Sequence, residues 1–284
     1  MKVISTINEL HEQISRTDHP VTGFVPTMGA LHQGHIALVK RAVKESSVTV
    51  VSIYVNPTQF NDKEDLRNYP RTLEKDLEML SSVLRENDIV FTPDDREMYP
   101  SEDRRGFQFG TLENVMEALH RPGHFNGVAK IVSRFFEIVR PDLAIFGLKD
   151  FQQVAVIKDL VRQKGYNVKI VENPIIREPD GLAMSSRNRL LEPDFRKKAP
   201  SIFKTISRAA VMIEKTDIPE IRKFVREKTE EKGMELEYFE IVDNEKLIPV
   251  MSKSEMKKGK RYYGCIAVKA GKIRLIDNIE IPLV

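Results

Sequence analysis

Residues 21–55 read VTGFVPTMGALHQGHIALVKRAVKESSVTVVSIYV, with two apolar runs on either side of a motif that contains glycine and histidine. Val21–Val25 is a short apolar run, and Val48–Val55 is a β-branched run typical of a strand buried on both faces. Between the two runs, apolar residues recur at spacings of three and four from Ile36 to Val43, which indicates a helix. The stretch therefore predicts a βαβ unit, in which a crossover helix joins two parallel strands.

The same alternation continues along the chain. Helical and strand-like patterns follow one another at Leu73–Leu84, Asp88–Phe91, Val128–Val139, Leu143–Phe146, Val154–Val161 and Asn167–Val171. Alternation of this kind predicts an α/β fold with a mostly parallel sheet and helices on both faces.

The pattern changes after about Pro179. Two long helical patterns, Asp194–Ile213 and Ile218–Lys232, precede three strand-like runs, LEYFEIV, YYGCIAVK and KIRLIDNI. Helices followed by strands predict a smaller α+β domain. We therefore expect one domain over residues 1–177 and a second over residues 178–284.

Composition favours a globular enzyme over a nucleic-acid-binding protein. The chain has 284 residues, of which 41% are hydrophobic and 31% charged, and its formal net charge is only +3. Its single cysteine, Cys265, cannot form an intrachain disulfide and lies in a strand-like run, so we expect it to be a small buried apolar residue. No apolar run approaches the ~20 residues of a membrane span, and the first residues lack the core of a signal peptide. The expected location is the cytoplasm.

Polar motifs follow four of the predicted strands. These motifs are PTMGALHQGH, NPTQF, FGLKDFQQ and GLAMSSRNR. Because ligands of open parallel sheets bind beyond the carboxyl ends of the strands, we expect the four motifs to line one crevice.

The first motif carries two histidines, His32 and His35, which share one face of a helix. Gly29 lets the chain turn close to a ligand, and the helix start offers N–H groups and a positive dipole end to an anion. Imidazoles on this first turn can donate to phosphate oxygens. The alternative is one packing histidine and one surface histidine.

A zinc site is a further alternative, because His120 and His124 form a second pair. The chain has no His-Glu-x-x-His pattern, no cysteine supports the pair, and Pro122 interrupts it. Phosphate binding is therefore favoured, and no protein-held metal is expected.

The other motifs suit a nucleotide and a small acid. Gly147 leaves room for a nucleotide, Lys149 is a point charge for phosphates, and Asp150 can accept from ribose hydroxyls. A surface Lys–Asp pair is the usual interpretation of such a tetrapeptide taken alone. The residues Ser185, Ser186 and Arg187 can donate to a polyphosphate from a loop that closes.

Two glutamines and a second serine-rich loop complete the set. Gln59 and Gln153 are amides suited to a small hydroxy acid, although surface glutamines are common. The tetrapeptide MSKS at Met251–Ser254 looks like a synthetase signature loop, but it lies late in the chain and follows no strand of the parallel sheet. We expect it to be a surface loop.

These motifs together resemble one enzyme family. His32-Gln-Gly-His35 is similar to the HxGH signature of nucleotidyltransferases. The strings PTMGALHQGH, VNPTQF, YPRT, RPGHFNGV, FGLKDFQQ, DGLAMSSRNRLL and IRLIDN occur in the order and spacing of the pantothenate synthetase (pantoate–β-alanine ligase) family. The resemblance covers nearly the whole chain.

The resemblance implies a fold and a reaction. A Rossmann-like N-terminal domain would bind ATP and pantoate, and a smaller C-terminal domain would act as a lid. ATP would adenylate pantoate with Mg²⁺ on the phosphates, and β-alanine would then attack the pantoyl adenylate to give pantothenate and AMP. A cytoplasmic homodimer that pairs through the N-terminal domain is also implied, with no nucleic-acid or membrane partner.

The resemblance also implies residue roles. His35 matches the proton donor, and His32, Lys149 and Arg187 would stabilise charge on the phosphates. Gln59 and Gln153 would contact pantoate, and Gln59 would also lie near β-alanine. The implied ATP-binding residues are Met28, Gly29, Ala30, Leu31, His32, Gln33, Gly34, His35, Gly147, Leu148, Lys149, Asp150, Ile176, Met184, Ser185, Ser186 and Arg187.

The chain departs from the family pattern at two positions, and two other functions stay open. The family commonly has Glu and Tyr where this chain has Leu148 and Phe151, which affects hydrogen bonding around Asp150. The alternatives are another HxGH nucleotidyltransferase, such as a cytidylyltransferase or a tRNA-charging fragment, and a non-enzymatic nucleotide- or nucleic-acid-binding module.

Overall fold

A computed structural model describes residues 1–16, 20–60 and 63–282. The chain forms two compact units. The first, called unit one, comprises Met1–Phe109, Arg121–Leu148 and Val156–Pro174. The second, unit two, comprises Gly110–His120, Lys149–Ala155 and Ile175–Val284. The predicted domain boundary between residues 177 and 178 stays a prediction.

Unit one contains a six-stranded parallel sheet of order β1-β4-β3-β2-β5-β6. Its strands are β1 (Lys2–Ile4), β2 (Thr22–Thr27), β3 (Val48–Ile53), β4 (Ile89–Phe91), β5 (Leu143–Gly147) and β6 (Lys169–Asn173). This sheet confirms the predicted α/β fold and the βαβ unit, since Thr22 of β2 pairs in parallel with Val48 of β3. The strand β1 was not predicted, because three residues with one buried side chain carry no period.

Eleven helices lie in the described parts of the chain. They are α1 (Ile7–Ser15), α2 (Gln33–Glu45), α3 (Lys63–Asn68), α4 (Leu73–Ser81), α5 (Asp95–Met98), α6 (Glu117–His120), α7 (His124–Val139), α8 (Phe151–Lys164), α9 (Pro193–Lys198), α10 (Ser201–Met212) and α11 (Ile218–Glu230). Helix α2 joins β2 to β3 and buries Ile36, Val39 and Ala42 in a cluster with Val25 and Val51. Burial of this apolar face holds the first turn of α2 beside the end of β2.

The strand order reverses between β2 and β5. The chain leaves β2 toward β3 on one side, whereas β5 and β6 continue the sheet on the other side. Loops that leave the carboxyl ends of two such strands diverge and open a crevice for ligands. Met28, which follows β2, and Gly147, the last residue of β5, therefore lie at the switch point of the sheet.

Unit two contains a three-stranded antiparallel sheet of β7 (Glu235–Asp243), β8 (Tyr262–Ala270) and β9 (Ile273–Ile281). Its core joins Ile206 of α10 and Ile221 of α11 to Ile241 and Ile266 of the sheet, which confirms the predicted α+β pattern. Cys265 of β8 is buried as expected, and burial raises the pKa of its thiol.

The helix predicted over 194–213 is two helices, α9 and α10. Pro200 stands between them and has no N–H to donate to the carbonyl of Arg196, so the hydrogen-bond ladder is interrupted. Within residues 1–16, 20–60 and 63–282, every helix is too short or too polar to cross a membrane.

Candidate active site

Two consecutive residues in the turn that follows β2 adopt the left-handed backbone conformation. Gly29 has φ +77° and Ala30 has φ +49°. The N–H of Gly29 donates to Thr27 Oγ1 at 3.2 Å, and Thr27 Oγ1 donates to the Ser52 carbonyl at 2.7 Å. The turn is therefore fastened to the end of β3 before the chain enters α2.

His32 and His35 cap the start of α2 together. His32 Nδ1 accepts the N–H of Gly34 at 3.1 Å, and His35 Nδ1 accepts the N–H of His32 at 3.3 Å. The two half-buried rings lie with centroids 4.0 Å apart. Because each Nδ1 accepts, the proton of each neutral ring lies on Nε2. Both imidazoles are thus arranged as Nε2–H donors.

Two N–H groups at this helix start are already engaged, and the predicted binding of an anion stays a prediction. The sequence predicts N–H groups that are open to an anion, but the N–H groups of His32 and Gly34 donate to imidazole nitrogens. An imidazole at the N-cap competes with an external anion for these donors, because its Nδ1 is already in place. The imidazole Nε2–H groups are accordingly the donors best suited to a phosphate here.

Gln59 is held by the first turn of α7. It ends a 3₁₀ turn, Pro57–Gln59, and its carbonyl accepts from His124 Nδ1 at 2.8 Å. Its side chain accepts from Asn56 Nδ2 at 3.2 Å and donates to Met28 Sδ at 2.9 Å. The structure therefore brings the predicted pantoate residue Gln59 into contact with the predicted ATP residue Met28.

The sequence reasoning missed the residues that hold Gln59. Asn56 is 1% exposed, and it donates to the Gly127 carbonyl and accepts from Tyr99 Oη at 2.9 Å. Asn56 begins NPTQF, and Gly127 lies in RPGHFNGV. The presence of both strings in the family pattern was the signal, but only the contact shows that one motif supports the other.

In unit two, Lys149 lies between an acidic neighbour and a buried amide. Its Nζ is 3.5 Å from Asp150 Oδ1, and its carbonyl accepts from Asn278 Nδ2 at 3.2 Å. Asn278 is buried and lies in β9, next to Asp277. The IRLIDN string thus supports the GLKD motif, although 129 residues separate Asn278 from Lys149.

Asp277 forms a two-pronged ion pair with Arg177. Arg177 Nη1 and Nη2 donate to Asp277 Oδ2 and Oδ1 at 2.6 and 2.9 Å, and the guanidinium lies 3.5 Å from the centre of the Phe203 ring. Burial raises the pKa of the Asp277 carboxyl, although the charges of Arg177 and Lys149 act in the opposite direction. The pair is therefore a rigid support for the strand that carries Asn278.

The serine loop is braced from both sides. Ser185 Oγ accepts the N–H of Arg187 at 3.3 Å, and the N–H of Met184 donates to the Ile176 carbonyl at 3.0 Å. This bond joins two of the predicted ATP segments. Ser186 is buried, so its hydroxyl is less accessible to a ligand than the Ser185 hydroxyl or the Arg187 guanidinium. Arg187 is half-buried.

The two units divide the predicted site residues. Unit one carries residues 28–35, Gln59, Gly147 and Leu148, whereas unit two carries Lys149, Asp150, Gln153, Ile176 and residues 184–187. Within unit two, the ring of Phe151 packs on that of Tyr263 with centroids 4.4 Å apart. The departure at Phe151 is thus a packing position.

The second histidine pair, His120 and His124, and the MSKS segment have the following contacts and exposure. His124 donates to the Gln59 carbonyl, and His120 stacks on Tyr238 and lies 3.7 Å from Glu237. In the parts of the chain that the structure describes, no three His, Cys, Asp or Glu side chains gather as metal ligands. The MSKS segment is mostly exposed and includes a 3₁₀ turn at Lys253–Glu255, which confirms the predicted surface loop.

A parallel sheet with this strand order defines a Rossmann-type fold, and the helix at its switch point starts within the sequence His-x-Gly-His. A family model described as pantoate-beta-alanine ligase matches residues 2–280. The chain belongs to the pantoate–β-alanine ligase family.

Individual relatives agree over almost the full chain. A curated pantothenate synthetase from Bacteroides thetaiotaomicron is 48% identical over 283 residues, which cover 99% of each chain. The crystal structure of pantothenate synthetase from Thermus thermophilus superposes with a TM-score of 0.90 at 38% identity and covers 100% of both chains. The pantoate-beta-alanine ligase from Francisella tularensis, complexed with beta-gamma ATP and beta-alanine, gives a TM-score of 0.78 at 33% identity over 98% of this chain and 97% of its own.

Proposed function

We propose that this chain condenses pantoate with β-alanine at the expense of ATP and releases pantothenate, AMP and pyrophosphate. The observation that carries the proposal is the imidazole pair at the start of α2, in a chain whose family match spans residues 2–280. A cytidylyltransferase is not favoured, because the relatives over nearly the whole chain are ligases.

The first half-reaction makes an acyl adenylate. A pantoate carboxylate oxygen attacks the α-phosphorus of ATP, the bond from that phosphorus to the bridging oxygen breaks, and pyrophosphate leaves. Negative charge grows on the phosphate oxygens, so donors that are already oriented lower the barrier. His32 and His35 supply Nε2–H hydrogen bonds to these oxygens, while Lys149 and Arg187 supply positive charge.

The second half-reaction forms the amide. The neutral amine of β-alanine attacks the acyl carbon, the bond from that carbon to the AMP oxygen breaks, and the nitrogen releases a proton to solvent as the amide forms. The acyl adenylate reacts readily with water, so the site must exclude it. Gln59 and Gln153 bind pantoate in this proposal, and Gln59 also lies near β-alanine; an amide that both donates and accepts suits a hydroxy acid.

The other ATP contacts follow the family pattern. In this proposal Asp150 accepts from the ribose, the backbone of Ile176 contacts adenine, and the segments assigned to ATP binding are residues 28–35, 147–150 and 184–187. The hydrogen bond from the Met184 N–H to the Ile176 carbonyl supports the assignments of Ile176 and of residues 184–187, because it fixes one segment against the other.

Mg²⁺ accompanies the ATP phosphates in this proposal. The metal commonly keeps several waters and binds substrate phosphates with few protein ligands. The donors described above are cations and N–H groups, which fit phosphate oxygens rather than the metal. This chain's residues would therefore hold the nucleotide, and the bound metal would offset phosphate charge.

A product assay tests the function. The purified chain, given ATP, Mg²⁺, pantoate and β-alanine, is expected to form AMP and pantothenate in equal amounts. Omission of β-alanine is expected to leave pantoate-dependent exchange of pyrophosphate into ATP. Formation of ADP instead of AMP, or a product that keeps the nucleotide, would refute the proposal.

We also propose a cytoplasmic homodimer that pairs through residues 1–177. Family membership supports this assignment, and light scattering during gel filtration tests it. A mass near 32.6 kDa at working concentrations would contradict the dimer.

A further inference from the structure

A buried carboxylate, Asp76, lies under the turn that leads to the two histidines. It is in the first part of α4 and is 1% exposed. Its Oδ2 accepts the N–H of Ala30 at 2.9 Å, and its Oδ1 accepts the N–H of Leu31 at 2.8 Å and the hydroxyl of Thr72 at 3.1 Å. Burial of a charged group is tolerated only with such donors, so the carboxylate and the turn depend on each other.

The turn is shaped around this carboxylate. A Cβ added to Gly29 would lie 3.0 Å from Asp76 Oδ2 and 3.1 Å from Ile53 Cγ2. Ala30 adopts φ +49°, which disfavours a residue with a side chain. The two N–H bonds to Asp76 offset this unfavourable conformation, because they are available only when residues 29–31 turn in this way.

The next donor in the chain belongs to the histidine pair. The N–H groups of Ala30 and Leu31 point to Asp76, and the N–H of His32 points to His35 Nδ1. Rotation of the peptide after Leu31 would withdraw the His32 N–H from the His35 ring. The turn that Asp76 holds therefore precedes directly the N–H that donates to His35 Nδ1.

We propose that Asp76 is a positioning residue for adenylation, which keeps His35 as an Nε2–H donor by fixing the turn at residues 29–31. Thr72, the last residue of YPRT, donates its hydroxyl to Asp76, so in this proposal the YPRT string helps to position the carboxylate. The inference rests on the roles proposed above for His32 and His35. The effect belongs to the first half-reaction, because the imidazoles act on the phosphates.

The test compares two buried aspartates of unit one. Asp76→Asn keeps the shape but replaces one accepting oxygen with an NH₂ group, which cannot accept an N–H. The matched control is Asp88→Asn, because Asp88 is 0% exposed and accepts the N–H groups of Thr49 and Arg85, both at 2.7 Å. Asp88 directly precedes β4 and therefore lies at the amino ends of the parallel strands, whereas the two histidines follow the carboxyl end of β2.

Pantoate-dependent pyrophosphate exchange measures the first half-reaction. Asp76→Asn is expected to lower its kcat by about 10- to 100-fold, the effect of misplacing a catalytic group by about 1 Å, with KM for β-alanine in the full reaction unchanged. Asp88→Asn is expected to lose stability but to keep kcat within about twofold of the wild type.

A spectroscopic measurement reports the proton directly. In ¹⁵N-histidine-labelled protein, two-bond ¹H–¹⁵N spectra identify the protonated nitrogen of each ring, and His35→Gln assigns the signals. The wild type is expected to show His35 as the Nε2–H form, and Asp76→Asn is expected to show a mixture of forms. An unchanged His35 signal with unchanged kcat in Asp76→Asn would overturn the inference.

A second variant covers the case in which Asp76→Asn does not fold. Thr72→Val removes one donor and leaves the carboxylate, so kcat for exchange is expected to fall several-fold; wild-type kcat in that variant would overturn the inference. The proposed imidazole role fails separately, if His35→Ala retains normal exchange. Loss of exchange in His35→Ala with wild-type behaviour in Asp76→Asn would refute the positioning role alone.

Discussion

Gly127→Ala is expected to weaken pantoate use by displacing Gln59. Gly127 lies in the first half of α7 against the 3₁₀ turn that ends in Gln59. An added Cβ would lie 2.2 Å from the Thr58 carbonyl oxygen and 2.7 Å from Gln59 Cα. Contacts of carbon are comfortable beyond about 3.5 Å, so the turn and the helix must separate by roughly 1 Å.

The magnitude follows from three effects. Overpacking of this kind destabilises by about 1–3 kcal/mol. Separation also weakens the bond from Asn56 Nδ2 to the Gly127 carbonyl, now 3.2 Å, by about 1 kcal/mol. The higher helix propensity of Ala returns about 1 kcal/mol. The expected net loss in free energy of unfolding is about 1–3 kcal/mol.

Gly127→Ala is expected to affect the use of pantoate more strongly than it affects the stability of the fold. Displacement of Gln59 by about 1 Å is expected to lower kcat/KM for pantoate by about 10- to 100-fold, with KM for ATP much less affected. Steady-state kinetics and urea unfolding measure the two effects.

The matched control is Gly106→Ala, because a Cβ at this exposed glycine would meet no atom within 4 Å. Wild-type kcat/KM for pantoate in Gly127→Ala, equal to that of Gly106→Ala, would show that the added methyl group does not displace Gln59.

Three further predictions concern single side chains. His35→Ala is expected to lower kcat for pantoate-dependent pyrophosphate exchange by about 10²–10³-fold, because one donor to the developing phosphate charge is lost. Arg177→Lys is expected to lower the free energy of unfolding by about 1–3 kcal/mol and to raise KM for ATP, because an ammonium cannot replace both bonds to Asp277 or the stacking on Phe203. Hydrogen bonds from Arg105 lower the pKa of Asp103 below its ordinary 3.8, so the stability that Asp103→Asn removes is present above about pH 4 and is lost as pH falls through the folded-state pKa. Urea unfolding at several pH values measures this last effect.

Each of these predictions has its own control. His11→Ala removes a histidine that hydrogen-bonds the Ile138 carbonyl and is expected to keep wild-type exchange. Arg261→Lys changes an exposed pair with Glu280 and is expected to alter stability by less than about 1 kcal/mol. Equal effects of Arg177→Lys and Arg261→Lys would contradict the importance of the buried pair. A stability difference for Asp103→Asn that does not shrink in acid would contradict the pKa argument.

The periodic parts of the fold were predictable from sequence. Continuous β-branched residues at 48–55 and the apolar spacing from Ile36 to Val43 report burial directly, and both elements are confirmed. The short strand β1 was not predictable, since its pairing with β4 depends on backbone groups 87 residues away. The break at Pro200 was visible in the sequence but was outweighed by the apolar pattern on both sides of it.

The supports of the candidate site were not predictable in the same way. The motifs drew attention to His32, His35, Gln59 and Lys149, because their chemistry suits phosphates and a small acid. Their partners Asn56, Asp76 and Asn278 are common polar residues whose type does not reveal whether they are buried. Only the folded chain brings them under the turns that they hold.

The sequence alone determined the class of fold, the order of the motifs and the resemblance to one ligase family, because periodicity and motif spacing are properties of the linear chain. The tertiary structure decided the state of the histidines. Their Nδ1 atoms accept backbone N–H groups, and this geometry depends on a turn that a carboxylate from α4 stabilises. A hydrogen bond between residues far apart in sequence forms only when the donor N–H points at its acceptor. That orientation is a property of the folded chain and cannot be read from the order of the residues.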